Sequence, residues 1–383
     1  MNQRGSDTNR SLIYFFMYCP LGAICPLIGQ YLSSIGFSGT QVGIITSLGT
    51  GTAIGAGLLW AKVYSNTDKK RNVIMYMCAA CAALGLLSTT TMVFAIYALI
   101  YSGMYFFQGP VFGLSDDFMI SKSNNFAIIR GIGAAGYAVS AFLVGRFAEA
   151  NGLKSIFYIY EITFMVAVVL LLRESDPPVY KEKTEKIGIG QLFKDKVFVK
   201  LLICSFFLTG TGVAHNTYFG YLFREEGGTI AGIGLAFLLM AGSEAPMMAL
   251  VPKLSKKIGA ERLILFAAII TVIRFAFYAT GPSYKLLLGT FFLQGMTQGI
   301  VLVEIVKYFS KIVDRRMSGM AISIYYALGN NFSVIACSLL GGIVLDWAGA
   351  RAVYMIFTVF NIIAVILYIV FGMYTTDETR RQC

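Results

Sequence analysis

The chain is predicted to be an all-α integral membrane protein, with twelve transmembrane helices in two six-helix, pseudo-symmetric bundles. Three observations predict this. Of its 383 residues, 57% are hydrophobic and only 13% charged, whereas soluble domains run near 45–50% apolar and about 25% charged. The mean hydropathy is +0.69. The charges that do occur sit in short stretches between apolar runs, and about 20 apolar residues span a bilayer. The length therefore holds about twelve spans and no sizeable soluble domain.

Charge punctuation places the first six spans at roughly 11–32, 41–61, 73–92, 94–118, 127–149 and 154–173, and the second six at roughly 198–222, 230–252, 263–280, 286–309, 318–344 and 352–374. The first run, Leu12 to Tyr31, lacks a small-residue cleavage pattern and reads as a span rather than a signal peptide. Between the sets lies the longest polar stretch, with two prolines and mixed charge. The expected organisation is a bundle over 1–173, a linker over 174–196 and a bundle over 197–383. A short amphipathic helix is expected at Ile189 to Phe193.

Counting Lys and Arg by side sets the orientation. With a cytoplasmic N-terminus, 24 of the 31 basic residues fall in tails and loops on that side. Five (Arg146, Lys154, Arg224, Lys285, Arg351) fall opposite, and Arg130 and Arg274 lie inside helices. Both termini and the linker are expected in the cytoplasm of a multi-pass protein of the cell (plasma or inner) membrane.

The halves resemble each other. Gln108 to Gly113 and Gln294 to Gly299 share Q-G-x-x-x-G, each in the fourth span of its half. Gly145-x-x-x-Glu149-x-x-Gly152 and Gly342-x-x-x-Asp346-x-x-Gly349 share another pattern at the outer end of the fifth. Glycines four apart let helices approach closely, and two matches at equivalent places imply a six-plus-six repeat. Such a repeat implies a solute site between the bundles near the midplane.

The same features exclude other classes. The +11 charge is not interleaved with aromatics on a polar face, so no nucleic-acid partner is implied. Seven scattered cysteines read as packing thiols, with no zinc spacing and no disulfide framework. No cofactor or metal is implied. One histidine and no nucleophile–base set argue against an enzyme, and no Walker motif is present to couple ATP.

Three stretches carry a resemblance. Phe126-x-x-x-Arg130-x-x-Gly133-x-x-Gly136-Tyr137, Glu244-Ala-Pro246 followed by Lys256-Lys257-Ile258-Gly259-Ala260, and Arg274 fifteen residues after Gly259 are similar to the lactose permease and phenylpropionate permease branch of the major facilitator superfamily. The resemblance implies that fold, and it implies that Arg130 contacts solute and that Arg274 takes part in proton coupling. Departures stand beside it. The acid of the superfamily's loop between spans 2 and 3 has become Ser65. The sugar permeases' span 10 histidine and glutamate fall on Gln294 and Thr297, and their span 11 lysine on Asn330, so those coupling groups are missing.

An isolated charge at a helix centre costs about 2.5–3.5 kcal/mol on insertion scales, so intramembrane charges face a cavity or one another. Asp116 and Asp117 near the end of span 4 and Arg130 at the start of span 5 read either as a pair with which solute competes or as an inner-gate salt bridge. Asp116 is the better cavity candidate, eight residues from Gln108 on nearly the same face. Glu244, Arg274 and Glu304 lie in the second half. Glu304 reads either as a proton carrier or as a bridge to Lys307 or Lys311. His215 beside Asn216 titrates near neutrality when unperturbed, and reads as a coupling group or as a hydrogen-bonded interface residue. Most tyrosines read as interface anchors, with Tyr14, Tyr18, Tyr137 and Tyr326 able to meet solute.

The expected substrate-binding set is thus Arg130, Asp116, Tyr137, Gln294, Asn330, His215, Asn216, Tyr18, Gln108 and Tyr326. The expected coupling set is Glu304, Arg274, Glu244 and Asp117. The expected activity is proton-coupled symport of a small polar solute, sugar or sugar-like, by a monomer in the lipid bilayer, with sodium able to replace the proton. The alternatives are a proton-driven exporter of drugs or metabolites and a solute-sensing receptor on a transporter scaffold.

Overall fold

The computed structural model describes residues 3–176, 189–313 and 317–374. The middle of the expected linker, 177–188, lies outside the described residues. The regular structure of the described part is all helical: α1 (Gln3–Ile24), α2 (Ile28–Ser34), α3 (Gly39–Ser65), α4 (Lys70–Leu87), α5 (Phe94–Ile120), α6 (Phe126–Asn151), α7 (Ser155–Leu171), α8 (Lys196–Glu225), α9 (Ile230–Ile258), α10 (Ala260–Ala279), α11 (Tyr284–Thr290), α12 (Phe292–Ile312), α13 (Ser318–Ile324) and α14 (Ser333–Val370). A π-helical segment, Tyr325–Phe332, joins α13 to α14. The short helix expected near 189–193 is a 3-10 helix, Ile189–Lys194, with Leu192 buried in a core beside Phe198 and Phe309.

Among the described residues, eight helices are long and apolar enough to cross a membrane, and α1 with α2 forms a ninth span bent by 44°. Pro26 stands in that break, where it can neither donate a helical hydrogen bond nor let Cys25 remain comfortably helical. α5 is 27 residues long but diluted by Tyr97, Tyr101, Tyr105 and Gln108. α7 is apolar but only 17 residues long. The 53-residue stretch Ser318–Val370, which passes the test once, is divided at Gly349, where φ is +79°. Twelve helical legs result. Large apolar side chains such as Leu58 and Trp347, 80% and 88% exposed, suit contact with lipid rather than water.

Local chemistry sets the helix ends. Ser38 and Gln41 form a capping box at α3, each side chain satisfying an otherwise orphaned N–H of the first turn. Asp195 accepts from the backbone N–H groups of Val197 and Phe198 at the start of α8. The two copies of the second repeated glycine pattern end alike. Gly152 has φ +90° and Gly349 φ +79°, a backbone region that only glycine enters freely.

By packing, the described residues within 3–176 and 228–241 form one unit and those within 189–227 and 242–374 another. In the first unit α1 packs on α6 and α7, α3 on α5, and α4 on α5 and α7. The start of α9 joins it through glycine. A Cβ on Gly145 would stand 3.0 Å from Gly234 Cα, and Glu149 accepts from the Ala231 N–H at 2.6 Å. In the second unit α8 packs on α14 and the π-helical segment, and α10 on α12 and α14.

Helix ends of the first unit are tied by a charge network. Glu174, 6% exposed, lies 3.4 Å from Arg10 and 3.8 Å from Lys122. It also accepts from Asn9 at 2.9 Å. Arg71 donates to the Glu174 carbonyl at 2.7 Å. Where the loop between α3 and α4 lacks its expected acid, Ser65 merely caps its own helix on the Lys62 carbonyl. Lys70 there pairs with Asp117 at 3.5 Å and lies over the Tyr64 ring.

Candidate functional site

In the first unit, α1, α5 and α6 bring Tyr14, Tyr18, Phe112, Asp116, Phe126 and Arg130 together. Glycine makes the approach possible. A Cβ on Gly133 would stand 2.9 Å from the Tyr18 ring and 3.3 Å from that of Tyr14, and one on Gly136 would collide with the Phe15 backbone. The Tyr14 hydroxyl donates to Asp116 Oδ1 at 2.7 Å. Arg130 Nε stands 3.9 Å from the other oxygen of that carboxylate, with side-chain exposures of 45% and 29%. The guanidinium lies 4.6 Å from the centroid of the Tyr18 ring. Tyr18 packs against Tyr14 and Phe112, and its buried hydroxyl has no hydrogen-bond partner among the described residues.

The distances decide what this cluster can do. A partly solvated ion pair at the edge of contact is worth about 0–1 kcal/mol, so a solute hydroxyl or carboxylate can insert without large cost. Guanidinium and carboxylate offer donors and acceptors, while the rings offer apolar faces.

Other expected residues of this unit lie elsewhere. Gln108 is buried and accepts from the Tyr160 hydroxyl at 2.7 Å, a core bond remote from the Asp116 carboxylate. Asp117 faces Lys70 with a side chain 61% exposed. Tyr137 is half-buried on α6.

In the second unit, Gln294 and Asn330 line a cavity of about 80 Å³ together with Thr209, Thr271, Thr297 and Gln298. The lining holds no charged side chain. The π-helical winding, common at functional sites, brings Tyr325 and Asn330 to the same wall. Arg274, 2% exposed, stands behind it. It donates to Gln294 Oε1 and lies over the Phe275 and Tyr278 rings.

His215 is fully buried, with Nδ1 2.6 Å from the Tyr354 hydroxyl and rings of Phe219, Phe275, Tyr278 and Phe291 around it. The interface reading of this histidine is the one the geometry brings out. Asn216 is half-buried beside it. Tyr326 is 39% exposed and outside the cavity lining. Glu304 is fully buried and accepts from Lys307 at 2.9 Å and Ser255 at 3.0 Å, the bridge that one of its two readings expects. Lys311 turns to Glu261 at 3.4 Å. Glu244 packs against Gly299, where a Cβ would meet its carbonyl oxygen at 3.1 Å.

Sequence reasoning passed over Gln298 and the threonines. Gln298 had a signal, since it lies four residues after Gln294 on the same helix face, inside the repeated Q-G-x-x-x-G pattern itself.

A paired acid and arginine beside stacked tyrosines in one unit, and an uncharged polar cavity in the other, suit a membrane-embedded solute transporter. The chain belongs to the MFS_1 like family, which matches residues 8–356. It is 30% identical to a maltose permease of Geobacillus stearothermophilus, over 93% of this chain and 92% of that one. It is 22% identical to a sucrose permease of Escherichia coli, over 91% and 88%. Its fold is similar to the crystal structure of the nucleoside transporter NupG, with a TM-score of 0.86 at 16% identity over 98% of this chain and all of that one. The protein is thus a multi-pass secondary active transporter and not an enzyme.

Proposed function

We propose that the protein is a proton-coupled symporter of a neutral sugar in the cell membrane, with both termini cytoplasmic. The observation that carries this reading is the divided environment of Asp116, hydrogen-bonded by Tyr14 on one oxygen and loosely faced by Arg130 on the other. A carboxylate so placed can bind a solute hydroxyl and exchange a proton as its partners change between conformations. Arg130 supplies forked donors, and Tyr18 a face for the apolar side of a pyranose. The uncharged lining of the cavity in the second unit supports a neutral solute over a carboxylate-bearing one. The maltose and sucrose permeases among the relatives support the sugar class. Asp116 is the leading proton carrier, because Glu304 is already paired with Lys307 and Asp117 with Lys70.

The test is proteoliposome uptake of labelled maltose, sucrose, glucose and a nucleoside, with pH recorded outside. Alkalinisation with a sugar, lost in Asp116→Asn while sugar counterflow persists, supports the assignment. Sugar uptake without pH change, or with sodium dependence, overturns the proton. Uptake of the nucleoside alone overturns the sugar.

A further inference from the structure

Arg274 is a buried cation with no carboxylate partner among the described residues, and its Nε and Nη1 have no hydrogen-bond partner there either. Among the described residues it donates to Gln294 Oε1. Arginine can only donate, so this contact fixes which way the Gln294 amide faces. The Gln294 nitrogen must then point away from Arg274, and it donates to the Gly212 carbonyl at 3.1 Å and to Gln298 Oε1 at 3.0 Å. The second amide is thereby fixed in turn. Its oxygen is taken by Gln294, and its NH₂ group is left without an acceptor among the described residues, in a side chain that lines the cavity. Reversing the Gln294 amide would set donor against donor at Arg274 and acceptor against acceptor at Gly212, and reversing that of Gln298 would set donor against donor at Gln294.

The other polar groups of that lining are mostly committed as acceptors. Thr209 donates to the Ser205 and Gly329 carbonyls, Thr271 to Ala267, and Thr297 to Leu293 and Gln294. Each hydroxyl proton is thus spent on backbone and only lone pairs remain. Asn330 donates one N–H to Asn331, and its side-chain oxygen can accept. Tyr325 can turn its hydroxyl either way. Gln298 is the fixed donor in a ring of acceptors.

We propose that Gln298 is a specificity-determining residue that donates to one hydroxyl oxygen of the solute, and that Arg274 is a positioning residue which sets the polarity of the Gln294–Gln298 relay without touching solute. A hydroxyl accepts from Gln298 and donates to a neighbouring threonine or to Asn330, which an ether, a methyl group or a cation cannot do. The inference rests on the neutral-sugar reading and assigns the part that this unit plays in it.

The experiment compares uptake of the transported sugar of the panel with its single-position deoxy and deoxyfluoro derivatives. Fluorine accepts but does not donate. At one ring position the wild-type protein should lose about tenfold in apparent affinity for the deoxy sugar and keep the greater part with the fluoro sugar. Gln298→Leu, of similar volume, should treat parent and deoxy sugar alike at that position. Arg274→Met should raise KM with kcat little changed and shrink the deoxy–fluoro difference, because the Gly212 carbonyl alone then holds the Gln294 amide. Arg274→Lys, still an obligate donor, should restore it. Absence of any position where fluoro exceeds deoxy in the wild type overturns the proposal without any variant having to fold. So does an unchanged deoxy–fluoro difference in Gln298→Leu. Should no sugar be carried at all, the sugar reading falls and this inference with it. Sugar uptake with a flat analogue series overturns the inference alone.

Discussion

The Tyr14 hydroxyl donates to Asp116 Oδ1 at 2.7 Å, tying α1 to α5 across 102 residues of chain. Arg130 stays 3.9 Å from the other oxygen. The phenol therefore holds the carboxylate clear of a close ion pair. Removing it in Tyr14→Phe frees Asp116 to swing onto Arg130, where the two would compete with solute for each other. Hydrogen bonds to charged groups contribute about 1.5–3 kcal/mol, so an increase in KM of about tenfold or more is expected. Vmax should be largely kept. Initial-rate uptake in proteoliposomes reads both, and an unchanged KM would show that Tyr14 does not hold the acid in place.

Tyr18 separates packing from binding. Its ring carries Arg130 at 4.6 Å, but its buried hydroxyl meets no partner among the described residues, and an unpaired buried hydroxyl stabilises nothing. Tyr18→Phe should leave the thermal midpoint unchanged or slightly raised. Tyr18→Leu removes the face on which the guanidinium rests, a contact of about 0.5–2 kcal/mol, and should weaken uptake while the protein stays folded. Midpoints by thermal shift in detergent and uptake rates on the same preparations check both statements.

Much of this was legible from residue order, because lipid imposes simple rules. Apolar runs between charges marked the helices, and the second repeated glycine pattern proved to mark helix ends with the same left-handed turn at Gly152 and Gly349. The arginine–glycine pattern of α6 was also legible, since Gly133 and Gly136 are what allow α1 to lie close. Side-chain partners were not. Gln108 and Gln294 occupy matching places in the repeat, yet one holds Tyr160 in a core and the other relays Arg274 to a cavity. Periodicity tells which face a residue occupies, but not what the neighbouring helix brings to it. Glu304 shows the same limit, since only packing shows whether Lys307 or Lys311 reaches the buried acid. The π-helical winding at Tyr325–Phe332 has no simple sequence signature and moved Asn330 relative to any α-helical projection.

Glu174 should prove the structural acid of the first unit. It is 6% exposed between Arg10 and Lys122, at 3.4 and 3.8 Å. Breaking a buried pair from one side leaves uncompensated charge and costs about 3–5 kcal/mol. Glu174→Gln should therefore lower the unfolding midpoint strongly, near the lower end of that range given the partial exposure of Arg10 and Lys122. Adding Lys122→Met should recover part of the loss, since it removes one of the stranded cations. Equal midpoints for wild type and Glu174→Gln would mean that water already screens the cluster.

The two glycines of α6 that face α1 should fail differently. A Cβ on Gly136 would collide with the Phe15 carbonyl and come within 3.0 Å of Phe15 Cα. Backbone cannot rotate aside, so α1 and α6 must move apart, and overpacking of this kind costs about 1–3 kcal/mol. A Cβ on Gly133 meets side chains instead, the Tyr18 ring at 2.9 Å and the Tyr14 ring at 3.3 Å. Those rings can turn, but they are the ones that hold Arg130 and Asp116. Gly136→Ala should lower the thermal midpoint with KM little changed in the protein that remains folded. Gly133→Ala should leave the midpoint nearer wild type and raise KM, because the disturbance goes into the site rather than into the helix pair. Measuring both quantities on both variants decides the matter, and the reverse pattern would mean that the tyrosines are packing residues and that solute binds elsewhere.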